Sequence, residues 1–331
     1  MNINEKNMQK RFSIRTDLAI EAREMIEETQ ETGIHVDTEE TDSYILTRVQ
    51  IQTEQASQQM GKPKGNYITL EAQALKENDV DSHKEIIQAL AKELSTLAKP
   101  KVKATVLVVG LGNWNITPDA LGPKVVSRIL VTRHLSQALP ENIAKTMRPV
   151  AAISPGVMGL TGIETGEIVK GISEKMHPDL ILAIDALAAR KTSRINATIQ
   201  LSDTGLAPGA GVGNQRKLLS KETLGIPVIA IGVPTVVDAA TLVNDTMDCM
   251  LEQMQQQTGQ EEAFYAMLRS LEGEEKYHLI TQMLTPYAEN MFVTPKEVDA
   301  VVDRLANIIA NAINIALQPE ITLEDIAKYQ G

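Results

Sequence analysis

Two aspartates follow apolar segments that are predicted to be strands, and carboxylates in such positions can hydrolyse bonds. Asp119 comes after the run at residues 104–110, and Asp185 directly follows the run at 179–184. Continuous runs of β-branched residues and leucine are typical of strands buried on both faces of a parallel sheet. Such sheets bind ligands at the carboxyl ends of their strands, so we expect both aspartates at that edge. Two carboxyls that share a site separate in pKa, so an ionised one can activate water while a protonated one donates to a carbonyl.

Three further residues could tune this pair. Asn113 and Thr117 precede Asp119 and could hydrogen-bond the carboxylates, and Arg190 could modulate their charge. The structural alternative is that Asp119, which follows Pro118 at an expected helix start, serves as a cap. A carboxylate buried at the end of a strand is costly and needs a reason. Both interpretations stay open: a catalytic pair, or a binding or scaffold protein whose aspartates only cap helices.

Two glycine-rich loops give little support to nucleotide binding. Gly110-Leu111-Gly112 follows a strand, but Asn115 stands where the dinucleotide fingerprint needs its third glycine. The loop at 209–214 lacks the Gly-Lys-Ser/Thr ending of a P-loop. These glycines either allow positive φ in tight turns or let a loop lie along an extended peptide.

The sequence lacks the signatures of metal sites and of other nucleophiles. The five histidines are scattered without a His-x-x-His pair, and there is no Gly-x-Ser-x-Gly elbow. Cys249, the single cysteine, lies between Met247 and Met250, which favours a buried structural thiol over a nucleophile. We expect no metal and no cofactor.

Charge and composition exclude several classes of function. With 43 acidic and 32 basic residues the 331-residue chain has a net charge of −11, which argues against direct binding to nucleic acid or to an anionic membrane. A single cysteine suits a reducing, cytoplasmic setting. The polar N-terminus has no signal-peptide pattern, and no apolar run approaches the roughly 18 residues that span a bilayer. We therefore expect a soluble, intracellular protein.

The elements that must position the aspartates alternate between strand and helix from residue 104 onward. Strands are predicted at 104–110, 149–154, 179–184, 195–202 and 226–232, with helices at 119–136, 166–176 and 235–256. This order predicts an α/β fold with a doubly wound, largely parallel sheet and helices on both faces. Alternating segments around the turn at 61–66 predict a β-hairpin, hence a small additional β-containing lobe at 43–75. Helices are also predicted at 82–98, within an excursion at 258–290, and from Pro295 to about residue 317.

Six long segments, spread nearly end to end, match one known family. They are Arg15-Thr16-Asp17-Leu18-Ala19, Gly65-Asn66-Tyr67-Ile68-Thr69-Leu70-Glu71, Thr117-Pro118-Asp119-Ala120-Leu121-Gly122-Pro123, Ile184-Asp185-Ala186-Leu187-Ala188-Ala189-Arg190, Ile226-Pro227-Val228-Ile229-Ala230-Ile231-Gly232-Val233-Pro234-Thr235 and Met291-Phe292-Val293-Thr294-Pro295-Lys296-Glu297-Val298-Asp299. In these segments the chain resembles the germination proteases of spore-forming Firmicutes. The region around 251–270 is shorter than expected for that family.

The resemblance implies an atypical aspartic endopeptidase whose active-site aspartates map onto Asp119 and Asp185. It implies a propeptide at 1–17, a single α/β peptidase domain at 18–331, and a homotetramer in the cytoplasm of the forespore and spore core. The implied substrates are small acid-soluble spore proteins, which the family degrades when germination begins. The family's sheet is related to that of hydrogenase-maturation endopeptidases, in which equivalent carboxylates bind nickel. A metal-dependent maturation endopeptidase is therefore the alternative.

The same resemblance predicts where the propeptide is removed. We predict self-cleavage between Asp17 and Leu18, because the family cuts after an acidic residue and before an apolar one. Asp17 could instead cap the helix that comes next, and both roles are compatible in a zymogen. Mildly acidic conditions should favour activation, because a close carboxyl pair needs one proton.

Overall fold

The computed structural model describes residues 16–24, 33–101, 103–137, 147–207, 218–258, 279–284, 291–318 and 320–329. The strands are β1 (Ile34–Glu40), β2 (Ile45–Ile51), β3 (Gly65–Glu71), β4 (Val106–Gly110), β5 (Val150–Ile153), β6 (Leu180–Ala189), β7 (Thr198–Ser202), β8 (Val228–Asp238) and β9 (Phe292–Val293). The helices are α1 (Ala19–Glu24), α2 (Glu54–Met60), α3 (Val80–Ala98), α4 (Leu121–Val126), α5 (Met158–Thr161), α6 (Thr165–Met176), α7 (Lys221–Leu224), α8 (Ala239–Thr258), α9 (Val298–Leu317) and α10 (Leu323–Tyr329).

Within the described residues, these strands form a single mixed sheet. Their order is β1-β2-β3-β7-β8-β6-β4-β5, and β9 pairs with the end of β8. β5, β4, β6 and β8 run parallel, whereas the pairs that involve β1, β2, β3, β7 and β9 are antiparallel. The predicted α/β class is confirmed, with one half of the sheet parallel and the other half antiparallel.

Alternate residues of the parallel strands point into two different cores. On β4, Val106 and Val108 join the larger core, which packs α3, α4 and α9 against one face of the sheet. Leu107 and Val109 join the smaller core on the opposite face, together with Val169 of α6. This double burial explains the continuous apolar runs in the sequence, because both faces of each strand are covered. It also confirms the prediction of helices on both faces.

The strands at 43–75 form an antiparallel pair, but no tight hairpin turn joins them. α2 lies between β2 and β3; Thr53 caps it by accepting the N–H of Ala56, and Gly61 ends it in the left-handed conformation (φ 60°). β1 pairs with β2, an addition that the sequence analysis missed because most of β1 is charged and exposed. Since β3 pairs with β7, the three strands extend the main sheet and do not form a separate lobe.

Two predicted boundaries near the aspartates were wrong. β6 continues to Ala189, so Asp185 lies inside the strand and not in a loop after it, because β8 stays paired with β6 as far as Ala189. The predicted helix at 119–136 is reduced to α4. Asn314 of α9 ends it there: its side chain accepts the N–H of Leu130 at 2.9 Å and donates to the carbonyl of Arg128 at 3.1 Å.

Several predictions fall outside the described residues. The glycine-rich loop at 209–214 lies there entirely, as does the propeptide apart from its last two residues. Of the helical excursion at 258–290, residues 279–284 are helical, and most of the remainder is not described.

One helix in the described part of the chain is long and apolar enough to cross a membrane. It is α9, and 72% of its most apolar window is buried inside the protein. Val302, Leu305 and Ile309 of α9 belong to the larger core. Such burial is typical of the central helix of a globular fold, which explains its hydropathy without a bilayer.

Candidate active site

The turn after β4 fixes Asp119 through backbone contacts. Gly112 has a φ of +110°, and a Cβ at this position would overlap the carbonyl oxygen of Asp119. The N–H of Asn113 donates to the Asp119 carboxylate at 2.8 Å. Only glycine fits such a turn. The Gly-Leu-Gly motif therefore serves a tight turn, which is one of the two interpretations that the sequence left open.

Asp185 is buried in β6 at the point where β4 leaves the sheet. The last contact between these strands is the N–H of Leu111, which donates to the carbonyl of Ile184 at 2.8 Å. The carboxylate of Asp185, whose residue is 5% exposed, accepts the N–H of Ala186 at 3.0 Å. A buried carboxylate beside an unpaired strand edge is poorly explained by stability alone.

Asp119 follows the end of β4, and Asp185 lies one residue beyond the last β6 residue that pairs with β4. Asp185 has the strand parity of Ile181 and Ala183, so its side chain lies on the α6 face. Gly112 lies two residues past the end of β4. The Oδ1 atom of Asp119 is 3.1 Å from the point where a Cβ on Gly112 would be.

Asn113 supports Asp119 in a different way from the one predicted. Its backbone N–H makes the contact, whereas its side-chain oxygen accepts the N–H of Asn115 at 3.0 Å. Thr117, predicted to hydrogen-bond Asp119 or Asp185, donates to a different carboxylate. Its hydroxyl donates to Asp299 of α9 at 2.7 Å, because the turn points it towards that helix.

Arg190 stands just after β6, five residues beyond Asp185. β6 ends at Ala189, so Arg190 lies outside the strand, and an extended chain covers roughly 16 Å over that span. Its N–H donates to Glu21 at 2.8 Å. The backbone of Arg190 therefore anchors the N-terminal segment, and its position separates it from Asp185.

Thr235 positions the Asp119 turn, and the sequence analysis missed it. Its hydroxyl donates to the carbonyl of Pro118 at 2.7 Å, and its own carbonyl accepts the hydroxyl of Thr294 at 2.9 Å. Thr235 is 1% exposed. A buried hydroxyl needs a partner, so a threonine within an apolar strand was the available signal.

Asp185 and Gln200 line one cleft, with Gly232 between them in the sheet. On β6 and β8, Asp185 pairs with Gly232, which in turn pairs with Gln200 on β7. Residues paired across strands share a face of the sheet, and the side chain of Leu187 packs over Gly232, where an added Cβ would overlap it. The cleft has a volume of about 210 Å³. Other residues that line it include Asp17, Lys62, Tyr67, Ser202 and Leu206.

Asp17, the residue before the predicted cleavage site, lines this cleft. The carbonyl oxygen of Asp17 accepts from Nζ of Lys62 at 3.0 Å and from Nε2 of Gln200 at 3.2 Å. The carboxylate of Asp17 accepts the N–H of Ala188 at 2.9 Å, so it contacts β6 and does not cap α1. Leu18 is fully buried in an apolar cluster with Ile20, Ala189, Ile195 and Val237.

Burial shifts the pKa values of Asp17 and Lys62, which line the cleft, in the directions that favour their neutral forms. It raises the pKa of the Asp17 carboxyl, although the charge of Lys62 and the N–H of Ala188 oppose the shift. It lowers the pKa of Lys62, although the carboxylates of Asp17 and Glu21 oppose that shift. The environment of the Asp17–Leu18 peptide bond is therefore weakly polar, which strengthens each hydrogen bond made there.

Residues 16–21 occupy the edge of β6 that β4 leaves free. The N–H of Ala188 donates to Asp17, and that of Arg190 donates to Glu21. The N–H of Asp17 in turn donates to the carbonyl of Ala188 at 3.4 Å. An open strand edge is a template for an extended peptide, so this edge can receive a substrate chain.

A buried ion pair holds the end of α1 in place. Arg194, which is 7% exposed, donates to Glu24 at 2.6 Å and to Glu71 of β3 at 2.7 Å. Burial lowers the pKa of Arg194, but the hydrogen bonds to these two carboxylates outweigh that effect and raise it. Arg194 therefore remains charged and ties α1 to the sheet.

Metal-binding groups do not cluster in the part of the chain described. No set of three or more histidine, cysteine, aspartate or glutamate side chains there could hold a metal ion. Cys249 is exposed on α8, so the prediction of a buried thiol was wrong.

Comparisons with a family model and with individual proteins point to the same family. A family model described as "Germination protease" matches residues 15–263 and 254–330. The germination protease of Clostridium acetobutylicum is 50% identical over 323 residues, which cover 96% of this chain and 99% of that protein. Those of Caldanaerobacter subterraneus (49% identity, 95% of this chain, 97% of that protein) and Clostridium tetani (51%, 96% and 99%) are equally similar.

Among solved structures, a [NiFe] hydrogenase maturation protease, HycI from Thermococcus kodakarensis, matches with a TM-score of 0.32 and 16% identity. It covers 68% of this chain and 98% of its own. The sequence matches, by contrast, are near full length and close to half identical. The chain therefore belongs to the germination protease family, and it is a peptidase with a role in spore germination.

Proposed function

We propose that this protein is an aspartic endopeptidase made as a self-processing zymogen, in which Asp119 and Asp185 activate the attacking water. The observation that carries the proposal is that Asp17, the acidic residue before the predicted scissile bond, lines the same cleft as Asp185. The bond that the resemblance predicts to be cut thus adjoins the cleft that holds one of the two residues predicted to cut it.

The proposed chemistry needs only the two carboxyls and water. The ionised carboxylate takes a proton from water as its oxygen attacks the carbonyl carbon of Asp17, and the protonated carboxyl donates to the carbonyl oxygen. The C–N bond then breaks, and the nitrogen of Leu18 takes up the proton that the first carboxyl received.

The segment at 16–21 also explains how the zymogen is held inactive. It fills the edge of β6 that a substrate chain would use, so other proteins are excluded until it leaves. We infer that the substrates are small acid-soluble spore proteins, on the ground of family membership. We further infer a homotetramer in the cytoplasm of the forespore and spore core, without direct contact to nucleic acid or membrane.

The test uses the full chain held at mildly acidic pH and analysed by N-terminal sequencing. We expect a new N-terminus at Leu18, and subsequent cleavage of a small acid-soluble spore protein added to the mixture. Asp119→Asn and Asp185→Asn should each leave the chain intact, with an unchanged circular dichroism spectrum. Cleavage that persists in both variants would reject the aspartate pair. Activity lost on adding a chelator would instead favour the metal-dependent alternative.

A further inference from the structure

Two side chains that the aspartate mechanism does not use hold the carbonyl of the predicted scissile bond. Nζ of Lys62 donates to the carbonyl oxygen of Asp17 at 3.0 Å, and also to that of Thr16 at 2.9 Å. Nε2 of Gln200 donates to the same Asp17 oxygen at 3.2 Å. Both donors lie far from the segment in sequence, so the fold, and not local chain geometry, brings them together.

Gln200 also fixes the register of the N-terminal segment, and hence which peptide bond has its carbonyl bound. Its Oε1 accepts the N–H of Ala19 at 2.6 Å, while its Nε2 donates to the carbonyl of Asp17. One amide group therefore contacts the backbone on both sides of Leu18. A shift of the segment by one residue would lose both contacts and would move Leu18 out of its apolar cluster.

We propose that Lys62 and Gln200 are the carbonyl-binding residues of this peptidase. They polarise the carbonyl of the residue before the scissile bond, first in self-cleavage and then in acidic-apolar sites of other proteins. The inference rests on the proposed function, since it assigns further residues to the same reaction.

The chemistry of amide hydrolysis calls for such donors. When water adds to the carbonyl carbon, its oxygen gains negative charge, and a positioned ammonium and amide N–H stabilise that charge in a site with little water. Neither donor has to reorganise. Gln200 is 8% exposed and held in the centre of the sheet by β7, and the segment before Lys62 is fixed because Gly61 ends α2.

The same contacts account for a preference for an acidic residue before the bond. Lys62 and Gln200 contact only backbone atoms of Asp17 and so accept any residue there. The Asp17 side chain has its own donor, the N–H of Ala188, and lies beside the ammonium of Lys62. An acidic side chain gains both interactions, whereas an apolar one would leave that N–H without a partner.

The test measures the rate of self-cleavage in full-length Lys62→Met and Gln200→Glu variants. Gln200→Glu keeps an acceptor for the Ala19 N–H but loses the donor to the carbonyl of Asp17. We expect each variant to cleave itself about 100- to 1,000-fold more slowly than the wild type, the usual effect of removing one such donor. Lys62→Arg should restore part of the rate. Lys64→Met is the matched control, since Lys64 is exposed and pairs with Glu54 at the surface.

Hydrogen exchange of residues 18–22 separates carbonyl binding from simple anchoring. The inference requires the rate to fall while these amides stay protected; loss of rate together with loss of protection would mean that Lys62 only docks the segment. Unchanged self-cleavage rates in both Lys62→Met and Gln200→Glu would overturn the inference. If Lys62→Met does not fold, the self-cleavage rates of Lys62→Arg and Gln200→Glu still test the carbonyl-binding role. A wild-type chain that never cleaves, or an Asp185→Asn variant that does, counts against the proposed function instead.

Discussion

Asp185 and Gln200 face the same cleft from two strands that are separated by one strand, with Gly232 between them. Neighbouring strands are about 4.8 Å apart, so the Cα atoms of the two residues are separated by roughly 10 Å. The side chain of Leu187 packs over Gly232, and Asp17 lines the same cleft. The strand order β6-β8-β7 therefore brings Asp185 and Gln200 to one cleft beside the N-terminal segment.

We predict that Gly112→Ala lowers the rate of self-cleavage by about 100-fold or more. Its Cβ would overlap the backbone of Asp119, and a displacement of about 1 Å in a reacting group can cost that much. Gly162→Ala is the control, because Gly162 also has a positive φ (+70°) but no atom within 4 Å of the added Cβ. The rates of both variants are compared by N-terminal sequencing over time. Equal rates would show that the Asp119 turn tolerates the displacement.

We predict that Thr235→Val impairs activity more than stability. The substitution keeps the shape of the side chain but removes the donor to the carbonyl of Pro118, which costs about 1 kcal/mol of unfolding free energy. The turn that carries Asp119 then loses its hydrogen bond to β8, and the cleavage rate should fall at least tenfold. Thr246→Val removes a hydroxyl that bonds to Leu242 on the exposed side of α8 and should leave the rate unchanged. A Thr235→Val rate equal to that of the control would contradict the prediction.

Arg194→Met should destabilise the protein by about 3–5 kcal/mol, because it leaves Glu24 and Glu71 without their buried cation. Urea unfolding followed by circular dichroism gives the change in free energy. Lys191→Met is the matched control: Lys191 also pairs with Glu24, but its side chain is 50% exposed, so its loss should cost below about 1 kcal/mol. Similar losses in the two variants would mean that α1 is held by packing alone.

The docking of residues 16–24 should weaken as the pH rises. Burial raises the pKa of Asp17, so the folded state retains a proton that the unfolded chain releases. The contribution of this group to stability is full below its ordinary pKa of 3.8 and is lost as the pH rises through the raised value. The protection factors of residues 18–22, which correct for the intrinsic rise of amide exchange with pH, should therefore fall across that window. Asp17→Asn, which cannot ionise, should flatten the profile, and an unchanged profile would assign the effect to another group.

The parts of the fold that could be predicted are those with a purely local signal. The runs at 104–110 and 179–184 are continuous because both of their faces are buried, and the aspartates beyond them were expected at one edge for the same reason. The end of β6 could not be predicted, because it depends on pairing with β8 and not on hydropathy.

The partners of Asp17 could not be predicted either. Gln200 lies in a strand that was predicted as polar, but its role depends on having Gly232 opposite, and strand register is not readable from one chain. Lys62 comes after a helix in place of the predicted turn, so its direction was unknown. Thr117 was misassigned because its partner, Asp299, lies on a distant helix. Each failure involves a contact between segments far apart in sequence.

The full burial of Leu18 would make the chain end created by the proposed self-cleavage unstable in its place. The cut would convert the neutral amide nitrogen of Leu18 into a charged α-amino group, enclosed among apolar side chains and close to the ammonium of Lys62. A new cation in that position is strongly disfavoured, so we expect the freshly made terminus to be expelled and rejoining to be prevented. A rise in the hydrogen exchange of residues 18–24 after self-cleavage would reveal the expulsion. The reaction would then be a one-way step that clears its own binding site for other chains.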